Sequence, residues 1–223
     1  MCFSAGASFT SGVLLTFVGT ETLRKVHKPA QIGLASIPLF FAFQQFTEGT
    51  LWLTIGKSGW AGLQTTCAYM FMIMAQVIWP LLVPISVLLI EENRTRKKIL
   101  FALLTVGAAV ALYYSYRLVF YDMHAEIGRM HIIYQSAAPD HSESISMLFY
   151  LTATIAPLFV SSIRRIYIVG IVMGLSFIVT VLCYKLFLIS VWCFFGAVLS
   201  FAVFYIIRES HKKFHSSRTD KIR

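Results

Sequence analysis

Seven long apolar stretches divide this chain, and each one is long enough to cross a lipid bilayer. They cover residues 5–23, 31–55, 62–90, 99–121, 143–163, 166–184 and 187–207. The hydrocarbon core of a bilayer is about 30 Å thick, so a helix needs about 20 apolar residues to span it. A single helix through the last two stretches would be about 63 Å long, so we expect the chain to turn near Lys185. The pattern predicts an all-α integral membrane bundle of seven transmembrane helices.

The composition excludes a water-soluble domain. Hydrophobic residues make up 57% of the chain and charged residues 13%, whereas soluble domains carry about 25% charged residues. The mean hydropathy is +0.73, and one core could not bury that much apolar surface. The net charge of +9 is spread over separate loops rather than along one basic face with aromatics between. We therefore expect the lipid bilayer as a partner and no nucleic acid.

The distribution of Lys and Arg predicts the orientation, because positive residues are retained in cytoplasmic loops. Alternate loops hold fifteen of them: Arg24, Lys25, Lys28, Arg94, Arg96, Lys97, Lys98, Arg164, Arg165, Arg208, Lys212, Lys213, Arg218, Lys221 and Arg223. The other four are Lys57, Arg117, Arg129 and Lys185. The N-terminus is thus predicted outside and the C-terminus in the cytoplasm. We expect a transmembrane domain over 1–207, an external segment over 122–142 and a basic cytoplasmic tail over 208–223.

Glu48 is the ionisable residue that most needs an explanation, because it lies inside the second apolar stretch. A charged side chain at mid-depth costs at least about 2.5–3.5 kcal/mol unless it has a partner or a water-filled cavity. Gln44, Gln45 and Trp52 are spaced from Glu48 by three or four residues, so all four share one helix face. We expect this face to point into the bundle. Glu21 differs, because Arg24 and Lys25 follow it at ordinary helical pairing distance.

Glu48 can have a structural or a functional role. The structural role is an ion pair with Arg117, at similar depth in the fourth stretch, or a neutral carboxyl group bonded to a glutamine. The functional role makes Glu48 a metal ligand or general base in a polar pocket that opens outward. Both roles stay open on the sequence alone.

Further ligand-type side chains are predicted at the same membrane face as Glu48. The external segment contributes His124, His131, Tyr134 and His141, and Cys2 lies just before the first apolar stretch. His124 and His131 are seven residues apart, so they would share a face if the segment is helical. Thiolate, imidazole and carboxylate together suit zinc, and the soft thiolate also suits copper.

Several motifs resemble those of one family. The chain opens with Met-Cys-Phe-Ser-Ala, its second stretch holds Gln44-Gln45 with Glu48-Gly49, and its external segment has Gly128 followed by His131. It resembles an uncharacterised family of bacterial polytopic membrane proteins that begin Met-Cys-Phe-Ser-Ala or Met-Cys-Trp-Ser-Ala. The resemblance implies the bacterial inner (cytoplasmic) membrane and emphasises Cys2, Glu48 and His131. Relatives with histidine in place of Gln44 would have two ligand-type residues one turn apart, which this chain lacks.

Our leading hypothesis is an outward-facing metal site near the outer leaflet, with zinc first and copper second. Its ligands would be Cys2, Glu48 and His131, with His124 or His141 as further candidates. If the site is catalytic, a metal-activated water would hydrolyse a lipid or small amphiphile. Glu48 would then be ligand or base, and Tyr134 or Arg117 would stabilise developing negative charge.

Two other functions fit the same residues. A transporter for a small solute or metal ion would use Glu48 and Arg117 to line a pathway. A receptor or assembly protein would use the external segment as a docking surface and carry out no chemistry. The sequence indicates neither the substrate nor the oligomeric state.

Overall fold

The computed structural model describes residues 4–128, 131–137, 143–183 and 188–220. Within these ranges the chain is mostly helical, and each predicted stretch overlaps one of seven helices. The helices are α1 Ala5–Arg24, α2 Ile32–Thr54, α3 Ala61–Ile90, α4 Arg94–Phe120, α5 Glu143–Val160, α6 Arg164–Cys183 and α7 Leu188–Asp220. Three of them, α3, α4 and α6, are long and apolar enough to cross a membrane. Helix α7 continues well beyond residue 207, where the sequence predicted the tail to begin.

Local sequence signals explain where several helices begin and end. Ser4 caps α1 by accepting a hydrogen bond from the Ala7 N–H at 3.2 Å. Asn93 caps α4 in the same way, because its side-chain oxygen accepts from the Thr95 N–H at 2.9 Å. Between α2 and α3 the chain turns through Gly56, whose φ of +81° is a left-handed conformation that glycine adopts without strain.

Helix α3 changes its winding in the middle. Residues 73–78 form a π-helical segment between two α-helical halves, and Pro80 follows shortly after it. Proline has no N–H to donate to the preceding turn, and a π segment is one way in which a helix accommodates such an interruption. The Tyr150 hydroxyl of α5 donates to the Ala75 carbonyl in this segment at 2.6 Å, which satisfies the carbonyl and ties α5 to α3.

Helices α1 and α2 pack antiparallel through glycines. The Phe46 ring lies 2.9 Å from where a Cβ on Gly12 would be, and Leu39 lies 2.6 Å from the corresponding point on Gly19. From Gly12 to Gly19 the contact moves seven residues forward along α1, and from Phe46 to Leu39 it moves seven residues backward along α2. Toward the start of α1, Phe9 packs in the same register against Gly49.

A β-hairpin follows α4, where the sequence predicted only an external segment. Strands β1 Met123–Gly128 and β2 His131–Ser136 pair antiparallel, with Gly128 opposite His131. Ile132 packs with Leu51 at the end of α2 and with Cys67 near the start of α3. The hairpin therefore covers this end of the bundle, which we call the hairpin end. The all-α expectation omitted this small sheet.

The opposite end of the bundle is rich in Lys and Arg. The α1–α2 loop, the α3–α4 loop, the α5–α6 turn and the second half of α7 meet there. The contacts that join them are Lys28 with Glu92 at 3.7 Å, Arg165 with Glu209 at 3.3 Å and Arg96 with the Val160 carbonyl at 2.9 Å. We call this the basic end.

Candidate functional site

Glu48 lies on a face of α2 that is closed to solvent. The side chains of Gln44, Gln45 and Glu48 are all 0% exposed, which confirms that this face points into the bundle. Gln44 Oε1 accepts a hydrogen bond from Trp79 Nε1 at 3.0 Å, so the residue after the π segment of α3 fixes one of the two glutamines. The arrangement places a carboxylate and two amides within little more than one turn of one buried helix face.

Three buried polar groups near Glu48 make no hydrogen bond to another described residue. They are the amide of Gln45, the indole N–H of Trp52 and the hydroxyl of Ser8. Gln45 and Trp52 flank Glu48 along α2, and Ser8 is level with Glu48 because Phe9 packs on Gly49. Since buried polar groups in proteins are nearly always hydrogen-bonded, this region suits a polar ligand. Ser8 was not among the predicted site residues, although it follows the opening Met-Cys-Phe-Ser-Ala motif by only three positions.

His131 is buried at the hairpin end. Its side chain is 4% exposed although it is the first residue of β2. The adjacent Ile132 packs against Leu51, and Leu51 lies one helical turn beyond Glu48 on α2. The structure therefore brings His131 and Glu48, which are far apart in sequence, to the same end of the bundle.

His124 lies apart from His131. The segment forms strands and not a helix, and in the hairpin register His124 pairs with Gln135 whereas Gly128 pairs with His131. Directly opposed residues share a face, so both histidines lie on the same face of the hairpin. Four residues of strand nevertheless separate their positions by about 13 Å, and His124 is exposed. The geometry does not bring these two side chains together.

Tyr134 and Arg117 occupy other surroundings. The Tyr134 ring stacks on Phe71 of α3, with ring centres 4.6 Å apart and an interplanar angle of 4°. Tyr134 is an odd number of positions after His131 along β2, so the two lie on opposite faces of the hairpin. Arg117 is 8% exposed in the last turn of α4, and its guanidinium lies 5.9 Å from the centre of the Tyr113 ring. Helix α4, which carries Arg117, packs along α3 and α5. The pairing of Arg117 with Glu48 stays a prediction.

The predicted metal ligands are only partly within the structure. Cys2 and His141 lie outside the described residues. Over residues 4–128, 131–137, 143–183 and 188–220, no three His, Cys, Asp or Glu side chains form a group that could hold a metal ion. A complete ligand set at Glu48 and His131 would therefore need a donor from elsewhere in the chain.

Comparison with known families gives a match over nearly the whole chain. A family model described as "Family of unknown function (DUF6629)" matches residues 1–218, so the chain belongs to this family. No curated protein and no solved structure matches the chain.

Proposed function

We propose that this member of the DUF6629 family is a seven-helix integral membrane protein that holds a metal ion in a polar site at the hairpin end. The observation that carries the proposal is the fully buried Glu48 carboxylate, with the amide of Gln45 beside it unbonded among the described residues. The buried His131 at the same end of the bundle supplies a second donor. Two ligand-type side chains from distant parts of the chain are thus both buried toward the same end of the bundle.

Two features support the membrane part of the proposal. Three helices are long and apolar enough to span a bilayer, and the other four overlap apolar stretches of similar length. In addition, the contacts at the basic end gather Lys and Arg clusters that are far apart in sequence. Such a concentration of positive charge at one end favours that end in the cytoplasm, so the hairpin end would face outward.

The donor set favours zinc, with copper second. Zinc is bound by thiolate, imidazole and carboxylate groups, and catalytic zinc sites use three protein ligands and leave one position open. Glu48 and His131 would be two ligands, and Cys2 is the proposed third. A zinc ion in such a site lowers the pKa of a bound water to about 7, which suits hydrolysis of a lipid or small amphiphile from the outer leaflet. Tyr134 is not included, because its ring packs on Phe71.

Elemental analysis of the purified full-length protein tests the proposal. We expect about one zinc or copper ion per chain, because a three-ligand site holds a single ion. Glu48→Gln, His131→Ala and Cys2→Ala should each lose most of it. His124→Ala is the matched control, because His124 lies on the same hairpin face but is exposed and distant. Metal-free native protein, or equal loss in the His124 variant, would reject the metal site.

One structural observation favours the transporter alternative. Helix α3 is interrupted by its π segment close to the Gln44–Trp79 hydrogen bond, and interrupted helices are common in transporters. Solute or metal-ion flux in liposomes that disappears in Glu48→Gln, with no stoichiometric metal in the protein, would favour this function. The receptor or assembly function stays a prediction from the sequence.

A further inference from the structure

A cleft of about 560 Å³ opens at the basic end, far from Glu48. The residues that line it come from the α1–α2 and α3–α4 loops, the α5–α6 turn and the second half of α7. Its mouth is charged, and apolar side chains such as Leu34, Ile163 and Ile206 line its interior. A cleft with a charged mouth and an apolar interior matches a ligand that is itself amphiphilic.

The cations at the mouth of the cleft differ in their pairing. Arg165 is paired with Glu209 at 3.3 Å, and Lys28 is paired with Glu92 at 3.7 Å. Lys97 also lines the cleft and is exposed, but it forms no ion pair with any residue in the described ranges. Glu91 also lines the cleft, but its carboxylate accepts three backbone N–H bonds. Lys97 is therefore the lining cation available to an anionic group, and the Lys and Arg side chains around the mouth add to the attraction.

An apolar chamber of about 80 Å³ lies deeper in the bundle, next to the cleft. Leu34 and Ile206 line both spaces, so these two side chains form the partition between them. Trp79 and Trp192 line the chamber as well. Its volume is roughly half the ~150 Å³ of an engineered apolar cavity that admits benzene. The chamber can therefore take the end of an apolar chain but not a whole lipid.

Ser86 lies where the chamber approaches the cleft. It lines the chamber and lies against Gly33, the residue that precedes Leu34 of the partition. Its side chain is 0% exposed, and its hydroxyl has no hydrogen-bond partner within the described part of the chain. Buried hydroxyl groups are normally bonded, so the protein alone leaves a polar group unsatisfied where the chamber meets the cleft.

We propose that the cleft and the chamber together bind a single-chain amphiphile with an anionic phosphate head group. The phosphate lies at the mouth beside Lys97, the acyl chain lies along the apolar interior of the cleft, and its end enters the chamber past Leu34 and Ile206. The site is separate from the proposed metal site, and it depends on membrane insertion but not on bound metal.

Tryptophan fluorescence quenching tests this site in the full chain, reconstituted in phosphatidylcholine nanodiscs. The chain has four tryptophans, and replacing Trp52 and Trp60 by Phe leaves Trp79 and Trp192, both in the chamber wall. The probe is lysophosphatidylglycerol brominated near the end of its acyl chain. We expect saturable quenching, about fivefold weaker binding in Lys97→Ala, and unchanged binding in the matched control Lys98→Ala, whose side chain does not line the cleft.

Two further measurements distinguish this site from annular lipid and from a free-phosphate site. Leu34→Phe enlarges the partition and should reduce the extent of quenching without abolishing binding at the mouth. Quenching that rises without saturation, or equal affinity in the Lys97 and Lys98 variants, would mean annular lipid only and would overturn the proposal. Displacement of the probe by inorganic phosphate at concentrations that match its own would assign the cleft to free phosphate, and would also overturn it.

Discussion

Glu91 joins two turns at the basic end through one buried carboxylate. Its side chain is 1% exposed, and it accepts hydrogen bonds from the N–H groups of Ser162 at 2.7 Å, Asn93 at 2.9 Å and Glu92 at 3.1 Å. Burial by itself raises the pKa of this carboxyl group, but the hydrogen bonds outweigh it and hold the pKa below the ordinary 4.5. The α3–α4 loop and the α5–α6 turn are therefore held together by an ionised group.

We predict that Glu91→Gln lowers the free energy of unfolding by about 1–3 kcal/mol, because a neutral amide replaces an acceptor with charge-assisted bonds. Thermal unfolding in detergent measures this. Glu92→Gln is the control, since its side chain is 88% exposed and its contact with Lys28 is long at 3.7 Å, and exposed ion pairs contribute little. An equal effect of the two substitutions would contradict the role given to Glu91.

The same carboxylate predicts a pH dependence. Because folding lowers the pKa of Glu91, its ionised form stabilises the folded state above pH 4.5, the ordinary value of the group. This contribution is lost as the pH falls from 4.5 through the lower pKa of the folded state. The melting temperature of the native protein should therefore fall more steeply in this acidic range than that of Glu91→Gln.

Local partners could be predicted from the sequence, and distant ones could not. Glu21 was expected to pair within its own helix, and it lies 2.7 Å from Arg24 and 3.2 Å from Lys25. Helical spacing alone brings such residues together. Ser162, by contrast, follows Glu91 by 71 positions, and only the packing of α5 beside α3 brings them into contact.

Helices α3 and α4 approach closely at Gly107. A Cβ on Gly107 would lie 2.0 Å from the carbonyl oxygen of Pro80, and a backbone atom cannot move aside alone. We predict that Gly107→Ala destabilises the protein by about 1–3 kcal/mol, because the two helices must separate. Gly62→Ala is the control, since no atom lies within 4 Å of its Cβ position. Equal melting temperatures for both variants would show that this contact is looser than described.

Whole elements differ in how far the sequence predicted them. The helices followed from long apolar runs, whereas the hairpin was missed even though Met123, Ala125 and Ile127 alternate with polar residues, a period of two that is typical of a strand. The extension of α7 to Asp220 was also missed, because its last residues are polar. Contacts such as Gln31 with Ser210 at 3.0 Å support it, and they depend on tertiary packing.

The gathering of the basic clusters bears on the orientation of the whole molecule. If the basic end is cytoplasmic, a fluorescent protein fused after residue 223 should fluoresce in bacterial cells, and alkaline phosphatase fused there should be inactive. Alkaline phosphatase inserted at Lys57, between α2 and α3, should be active. The reverse pattern would invert the topology and place the Glu48 region on the inner side.

The π segment of α3 also has a consequence for the architecture of the whole bundle. One extra residue per turn shifts the angular phase of everything that follows, by about 100° for each residue of an α-helix. The π segment therefore sets the rotation of the half of α3 that carries Trp79 and Pro80 relative to the half beneath the hairpin. Loss of a single residue from 73–78 would rotate one half relative to the other, and would separate the Trp79 indole from Gln44 without changing any side chain at either position.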